Sequence, residues 1–539
     1  MVAAEAVVHC LLEEGVDLVF GYPGGAVLPL YEALRTGSVR HVLVRQEQSA
    51  VHSANAYARI SGRVGVCIGT SGPGATNLVT GIATAYMDSI PLVVITGQVK
   101  TGFIGRDVFQ EVDITGASES FTKHNYLVRD AQQLPRIIRE AFHIASTGRP
   151  GPVLIDIPMD IQMEKIRYHY PKDVFIRGYR PTEKGHMGQI KRALKAIRES
   201  RHPLVFAGGG IFLADAQDEL RRFTETTGIP VVHTLMGTGC MPTDHPHLIG
   251  MVGSHGFSYA NKAMEMADLL IFIGARIADR ATGGIQEDLL ANRSIIHIDV
   301  DPAEIGKNVG CDIPVVGDVK IVLQQMLDLV QPLPLDKWRA ELASMKEAAK
   351  AQESLTFGAL VNPKHAVRIL SGLLDDDAIL VADVGQNQFW SARNFHIHGK
   401  RRFLCSGGFG TMGYSIPAGV GAKMAAPDRT VVSIMGDGSF QMSMHELGTI
   451  KANRIALKMV LFNNGKLGMV RELQDNRYKE TFGVMLDDNP DFTALVSAYG
   501  FPVRKVKTNG ELETAFRDML AQEGPFFVEC MVDSAESTL

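Results

Sequence analysis

The stretch Thr430-Val431-Val432-Ser433-Ile434-Met435-Gly436-Asp437-Gly438-Ser439-Phe440, followed by a helical segment and an apolar run closing in Asn463-Asn464, decides how this chain folds. Residues 431–435 are apolar apart from Ser433, as expected of a strand covered on both faces. Strand, helix and second strand form a β-α-β unit whose strands are parallel neighbours. Both polar ends then emerge at the carboxyl edge of the sheet, where open α/β sheets bind ligands. With 26 residues between them, Asp437 and Asn464 meet in space. A carboxylate and an amide oxygen on strand ends, beside a helix N-terminus, suit a hard cation that keeps positions free for phosphate oxygens. Magnesium bridging a diphosphate is the chemistry to expect. Gly436 and Gly438 let the backbone approach the phosphates, and Ser439 offers a hydroxyl donor. Gly-Asp-Gly alone also describes a tight turn with a capping Asp; the Asn pair at this spacing selects the diphosphate reading.

Around this unit, residues 378–382 form another apolar strand, ending in Asp383-Val384-Gly385, and residues 525–530 form a last one. Residues 363–539 are thus expected to be one α/β domain. A second occupies residues 1–165, with strands at 17–20, 41–45, 64–68, 91–97 and 153–158 alternating with helical patterns. Between them, residues 186–330 carry strands at 203–207, 231–235, 269–274 and 295–300, each ending in Gly, Thr or Asp. The Pro- and Lys-rich stretch 168–188 and the charged stretch 330–362 read as linkers. The fold class is α/β: three doubly wound, parallel-sheet domains, the first and third of similar plan around a different middle.

Composition narrows the function. At 539 residues the chain exceeds one ordinary core. Its 54 glycines, 45% hydrophobic share and 21% charged residues fit a soluble α/β enzyme. A net charge of -5 leaves no electrostatic footprint for nucleic acid. Six cysteines (Cys10, Cys67, Cys240, Cys311, Cys405, Cys530) stand far apart without a C-x-x-C pair, which speaks against zinc and disulfides and for a reducing cytoplasm. No apolar run approaches a membrane span, and Glu5, Glu13 and Glu14 do not suit a targeting segment.

Together these pieces resemble the thiamine-diphosphate 2-oxoacid enzymes, built from a pyrimidine-binding, a middle and a diphosphate-binding domain. The finer resemblance is to the acetolactate (acetohydroxyacid) synthase catalytic subunits. It is carried by Phe20-Gly21-Tyr22-Pro23-Gly24-Gly25, Arg45-Gln46-Glu47, Thr70 to Asn77, Phe109-Gln110-Glu111, Thr122-Lys123-His124-Asn125, Gly148-Arg149-Pro150-Gly151-Pro152-Val153 and Gly410-Thr411-Met412-Gly413.

The resemblance implies a site shared between two copies of the chain, hence a homodimer or homotetramer, with a small regulatory subunit as a further partner. It implies that Glu47 protonates the pyrimidine nitrogen of thiamine diphosphate, a task that asks for a carboxyl sheltered from water. Met412 wedges the cofactor bent, and the Gly410 carbonyl accepts from its exocyclic amine. Magnesium falls to Asp437, Asn464 and the backbone oxygen of Lys466. Other cofactor positions are Pro23, Pro73, Asn77, Val384, Gly385, Gln386, Asn387, Gly436, Gly438, Ser439, Gly468 and Met469. Arg280 meets the carboxylate of the second 2-oxoacid, where a planar fork suits it. Gln110, Phe109, Val470 and Leu473 line the substrate pocket. FAD, bound without net redox, falls to Arg149, Gly208, Gly209, Gly210, Thr234, Leu235, His255, Gly256, Gly274, Arg276, Asp299, Val300, Gly317 and Asp318. The implied reaction decarboxylates pyruvate and passes the two-carbon unit to a second 2-oxoacid, as in branched-chain amino-acid biosynthesis. A flavin-free catabolic synthase and another thiamine-diphosphate lyase or oxidase are the alternatives.

Four positions depart from the family pattern. Leu473 replaces a tryptophan that favours 2-oxobutyrate, so a weaker preference for that acid is expected. Arg276-Ile277-Ala278-Asp279-Arg280 differs from the usual Arg-Phe-Asp-Asp-Arg of flavin-binding members. Met159 replaces a lysine, and Asn387 replaces a histidine near the diphosphate. The family continues past Val532-Asp533 with a proline-containing tail, whereas this sequence stops at Leu539; either the tail was removed or the lid is different, and an open site would admit water.

Overall fold

The computed structural model describes residues 1–283, 293–352, 355 and 357–539. Its described residues build three six-stranded sheets. The first comprises β1 (Leu18–Gly21), β2 (Arg40–Leu43), β3 (Gly65–Gly69), β4 (Leu92–Gln98), β5 (His124–Leu127) and β6 (Pro152–Pro158), in the order β2-β1-β3-β4-β6-β5. The middle sheet holds β7 (Pro203–Ala207), β8 (Val231–His233), β9 (Leu248–Met251), β10 (Leu269–Ile273), β11 (Ser294–Asp299) and β12 (Ile313–Val316), ordered β12-β11-β10-β7-β8-β9. The third contains β13 (Ile379–Ala382), β14 (Arg402–Leu404), β15 (Val431–Gly436), β16 (Leu457–Asn463), β17 (Val503–Val506) and β18 (Phe526–Met531), ordered β14-β13-β15-β16-β18-β17. Every strand pair is parallel. The first and third sheets share one strand order, while the middle one follows the 3-2-1-4-5-6 order of doubly wound dinucleotide folds.

Each sheet also holds strands that the sequence reading did not single out: β5 in the first, β9 and β12 in the middle, β14 and β17 in the third. All five are edge strands. β17 runs half-buried, exposed, exposed, buried, so it lacks the continuous apolar run that marks β15 and β16.

The first and third domains share one core. The helix Glu47–Ser61 packs along the helix Ser415–Ala425, and Ala50, Val51, Ala54, Ile416, Ala418 and Val420 belong to a single buried cluster. Small residues set the approach: a Cβ added at Gly421 would lie 1.9 Å from the Ser53 carbonyl oxygen. Several polar groups inside the seam are paired, although His52 Nδ1, Asn55 Nδ2 and Ser415 Oγ have no protein partner among the described residues. Ser53 Oγ donates to Pro417 O (2.8 Å), Tyr414 Oη to Asn55 Oδ1 (3.0 Å), and Arg59 to Cys405 O (2.8 Å). Unpaired, each would cost about 1–3 kcal/mol. Among the described residues no helix is long and apolar enough to cross a membrane, and all six cysteines are free.

Candidate active site

The end of β15 feeds directly into the helix Asp437–Ser443, so Asp437 stands at the first helical position and is 1% exposed. Burial pushes its carboxyl above the usual carboxylate range, against three hydrogen bonds that favour the charged form. Gly438 N donates to Oδ1 (3.0 Å); Gly465 N (2.9 Å) and Asn489 Nδ2 (2.8 Å) donate to Oδ2. A cation at this place would offset the same desolvation.

The parallel pair β15–β16 brings Asn464 beside Asp437, as its spacing implied. Asn464 Nδ2 donates to Gln386 Oε1 (3.0 Å), and its Oδ1 accepts from Lys466 N (3.3 Å). Gln386 is itself held, its Nε2 donating to Glu472 Oε1 (2.9 Å) and Glu536 O (3.0 Å). Among the described residues no cluster of three His, Cys, Asp or Glu side chains could hold a metal. The donors gathered here are instead one carboxylate and one amide beside backbone, the set a magnesium ion uses when phosphate supplies further oxygens.

Two glycines of the cradle around these groups are closely overlaid by neighbouring side chains. A Cβ at Gly468 would lie 1.9 Å from Gln386 Oε1, and one at Gly438 would lie 2.6 Å from Leu467 Cδ2 and 3.5 Å from Met412 Cε. Met412 therefore leans over Gly438. Asn387 is buried beside Gly385 and Gly436 with one amide atom unpaired, leaving a polar group for a ligand to satisfy. Ser439 Oγ donates to Val384 O (3.3 Å), a partner within the fold where the sequence suggested a phosphate. Asn489 and Glu472 escaped the sequence reading; Asn489 lies in the unpatterned loop after Met485, with no motif to mark it.

Glu47 opens its helix after β2 and is 8% exposed. Asn77 Nδ2 donates to its Oε2 (2.9 Å), and a Cβ at Gly74 would sit 3.2 Å from Oε1. Among the described residues no hydrogen bond joins Glu47 to the Asp437 group. Pro23 lies exposed after β1 and Pro73 opens the helix Pro73–Asp88. Gln110 adopts a left-handed backbone (φ 58°) and packs on Gly72, a strained conformation of the kind that collects at binding loops. Beside it Phe109 is 87% exposed.

A cleft of about 1120 Å³ opens between the middle domain and its neighbours. It is lined by Arg149, Gly208, Gly209, Gly210, Thr234, Leu235, His255, Gly256, Gly274, Arg276, Asp299, Val300 and Asp318 from the flavin-type set, together with Arg280, Val384, Gly410, Met469 and Leu473. Gly317 is not among the lining residues; a Cβ there would meet Val322 and Glu183. Two of the three consecutive glycines serve packing, since a Cβ at Gly208 or Gly210 would lie 2.3 or 2.6 Å from Gly274. Arg149 is paired with Glu304 (2.7 Å) and Asp301 (3.4 Å), and burial pushes Asp299 up to about 6. Arg280 keeps most of its guanidinium in solvent, and Val470 and Leu473 are exposed.

Three family models match the chain, one on each sheet: the thiamine pyrophosphate enzyme N-terminal TPP binding domain over residues 1–117, the central domain over 190–326, and the C-terminal TPP binding domain over 383–530. Among curated proteins, the probable acetolactate synthase large subunit of Methanococcus aeolicus is 43% identical over 559 residues, covering 100% of this chain and 93% of that one. The acetolactate synthase isozyme 3 large subunit of Escherichia coli K12 is 43% identical, covering 99% and 95%. The large subunit from Corynebacterium glutamicum is 46% identical, covering 93% and 82%. The chain belongs to the acetolactate synthase large-subunit family. For a member of this family, a thiamine-diphosphate enzyme, the Asp437 edge and the Glu47 pocket each fall within a matched TPP binding domain.

Proposed function

We propose that this chain is the catalytic subunit of an acetolactate synthase, which decarboxylates pyruvate on thiamine diphosphate and transfers the two-carbon unit to a second 2-oxoacid. Pyruvate as acceptor gives 2-acetolactate; 2-oxobutyrate gives 2-aceto-2-hydroxybutyrate. The observation that carries this reading is the meeting of Asp437, Asn464 and the Gly436–Ser439 turn at one sheet edge beneath Met412, in a chain akin over its full length to proteins named acetolactate synthase large subunits.

Bound thiamine diphosphate supplies a nucleophilic carbon and an electron sink that no side chain offers. Asp437, Asn464 and the Lys466 carbonyl hold its magnesium, and Gly438 and Gly468 leave space for the diphosphate. Met412 props the cofactor and Gly410 O accepts from its amine. Glu47 holds and moves the proton at the pyrimidine nitrogen, sheltered from water and oriented by Asn77. Arg280 presents its fork to the acceptor's carboxylate, with Phe109, Gln110, Val470 and Leu473 as walls of the pocket.

With no hydrogen bond joining Glu47 to the Asp437 group among the described residues, we read the assembly as a homodimer, in which each site combines the half-site of Glu47 from one copy with the half-site of the magnesium group from the other. Relatives named large subunits favour a small regulatory partner. The long cleft of the middle domain, lined by glycines at strand ends, favours FAD, which it would hold. Six free cysteines suit the cytoplasm.

The testing experiment strips the purified protein and supplies pyruvate, thiamine diphosphate and magnesium, with and without FAD. Acetolactate that requires FAD is the expected outcome. Carbon dioxide without acetolactate would sink the acceptor half of the reading, and acetolactate without flavin would remove FAD from it.

A further inference from the structure

The helix Pro73–Asp88 is 16 residues long, about 24 Å at 1.5 Å per residue. Asn77, Thr84 and Asp88 are spaced seven and four residues apart, which sets them on one stripe of that helix. At its beginning Asn77 orients Glu47 (2.9 Å). Toward its end the stripe turns to the other half-site. Thr411 Oγ1 and Thr84 Oγ1 lie 2.7 Å apart in a buried contact. Thr84 donates its single proton to Thr80 O (2.8 Å), so the Thr411 hydroxyl donates to Thr84. Asp88 Oδ1 accepts from Gly408 N at 2.7 Å.

The loop so held contains Gly407, Gly408, Gly410 and Gly413 within seven residues, with Gly410 and Gly413 in left-handed conformations. Such a segment has little shape of its own and takes it from outside anchors. Its far end is tied within the third domain, where Asp383 accepts from Gly413 N (3.0 Å) and Ser415 N (2.8 Å), and Ser406 Oγ accepts from Thr411 N (3.0 Å). The anchors reaching it from the first domain are Thr84 and Asp88. The approach is close: a Cβ at Gly408 would lie 2.7 Å from Asp88 Oδ1 and 2.9 Å from the Arg276 guanidinium.

We propose that Thr84 and Asp88 are positioning residues, which hold the Gly407–Met412 loop through Thr411 and Gly408 and thereby set where Gly410 O and Met412 meet the cofactor. The assignment rests on the functional reading above for the roles of Gly410 and Met412. One rigid helix then aligns two half-sites: its beginning orients Glu47 for the cofactor of a second copy, and its end shapes the loop for the cofactor of its own copy.

The test compares Thr84→Val, Thr84→Ser and Asp88→Asn in the full-length protein, by hydrogen–deuterium exchange of residues 406–413 without cofactor and by calorimetric titration with thiamine diphosphate and magnesium. Thr84→Val leaves the Thr411 hydroxyl without its acceptor. It is expected to speed exchange of the loop and to weaken cofactor binding, each about tenfold, with the exchange of the helix itself unchanged. Thr84→Ser, which restores the oxygen, should return both to wild-type values. Asp88→Asn keeps an acceptor for Gly408 but loses the charge facing Arg59 and Arg276, and should give a smaller change of the same sign. Unchanged loop exchange in Thr84→Val, or a Thr84→Ser protein that behaves like Thr84→Val, would overturn the proposal. A wild-type protein that takes up no thiamine diphosphate would overturn the functional reading instead, and the exchange comparison would still decide whether Thr84 and Asp88 hold the loop.

Discussion

The first and third sheets run through the same order of strands, yet their carboxyl edges carry opposite equipment. After β3 the chain turns through Gly72-Pro73-Gly74; at the corresponding place after β15 it turns through Gly436-Asp437-Gly438. A proline that starts a helix stands in one domain where a buried carboxylate stands in the other. After β2 comes Glu47 with its Asn77 partner, while after β14 comes the glycine loop of Gly410 and Met412. Strand order dictates which loops converge, and the residues at strand ends dictate the chemistry. One scaffold thus serves twice, in two domains that each match a TPP binding domain.

The contrast breaks most visibly at Asp437. Asp437→Ala should bring turnover to background and abolish the magnesium dependence of cofactor binding by calorimetry; retained magnesium dependence would move the cation elsewhere. In the other half, Glu47→Gln should bind cofactor and magnesium as the wild type does while turnover falls about 10²–10³-fold. Wild-type turnover in that variant would remove Glu47 from the mechanism.

The seam that joins the halves is tested by Gly421→Val, whose added atoms collide with the Ser53 carbonyl. A loss of about 1–3 kcal/mol is expected in urea unfolding, felt by both domains together. Separate transitions for the two domains would mean that they do not share a core.

The smallest effect concerns the acid each domain buries on its sixth strand. Asp156 accepts from Thr96 Oγ1 (2.7 Å) and Gln98 Nε2 (2.9 Å), and burial pushes its carboxyl up to about 7. Glu529 instead meets Asn463 Nδ2 (2.8 Å) and Lys505 (3.1 Å). The folded protein keeps the Asp156 proton where the unfolded chain, titrating near ~3.9, has lost it, so this residue makes stability fall as pH rises from about 4 to about 7. Asp156→Asn should flatten that part of the profile of denaturation midpoint against pH; an unchanged slope would assign it to other groups.

The central strands and the placement of Asp437 and Asn464 at neighbouring strand ends were legible because a buried parallel strand writes itself as an apolar run and the polar residues follow at the end of that run. Edge strands such as β14 and β17 were not, since one side of each faces no partner strand and tolerates charge, as Arg402, Arg504 and Lys505 illustrate. Within the site, Asn489, Glu472, Thr84 and Asp88 carry no motif. Their neighbours come from distant segments, and only the packing of helix against loop reveals them. The triple glycine at 208–210 belongs to the set that the resemblance assigns to FAD, and two of its members are required by the approach of Gly274.

The seam between Glu47–Ser61 and Ser415–Ala425 also bears on how the protein is made. The apolar face of the first helix is complete when residue 61 leaves the ribosome, but its cover, the second helix, is more than 350 residues away. At elongation rates of about 5–20 residues per second the wait is roughly 20–70 s. The middle domain is synthesised within that interval and can fold on its own sheet. The core that the first domain shares with the third is therefore completed only once the last domain has been translated.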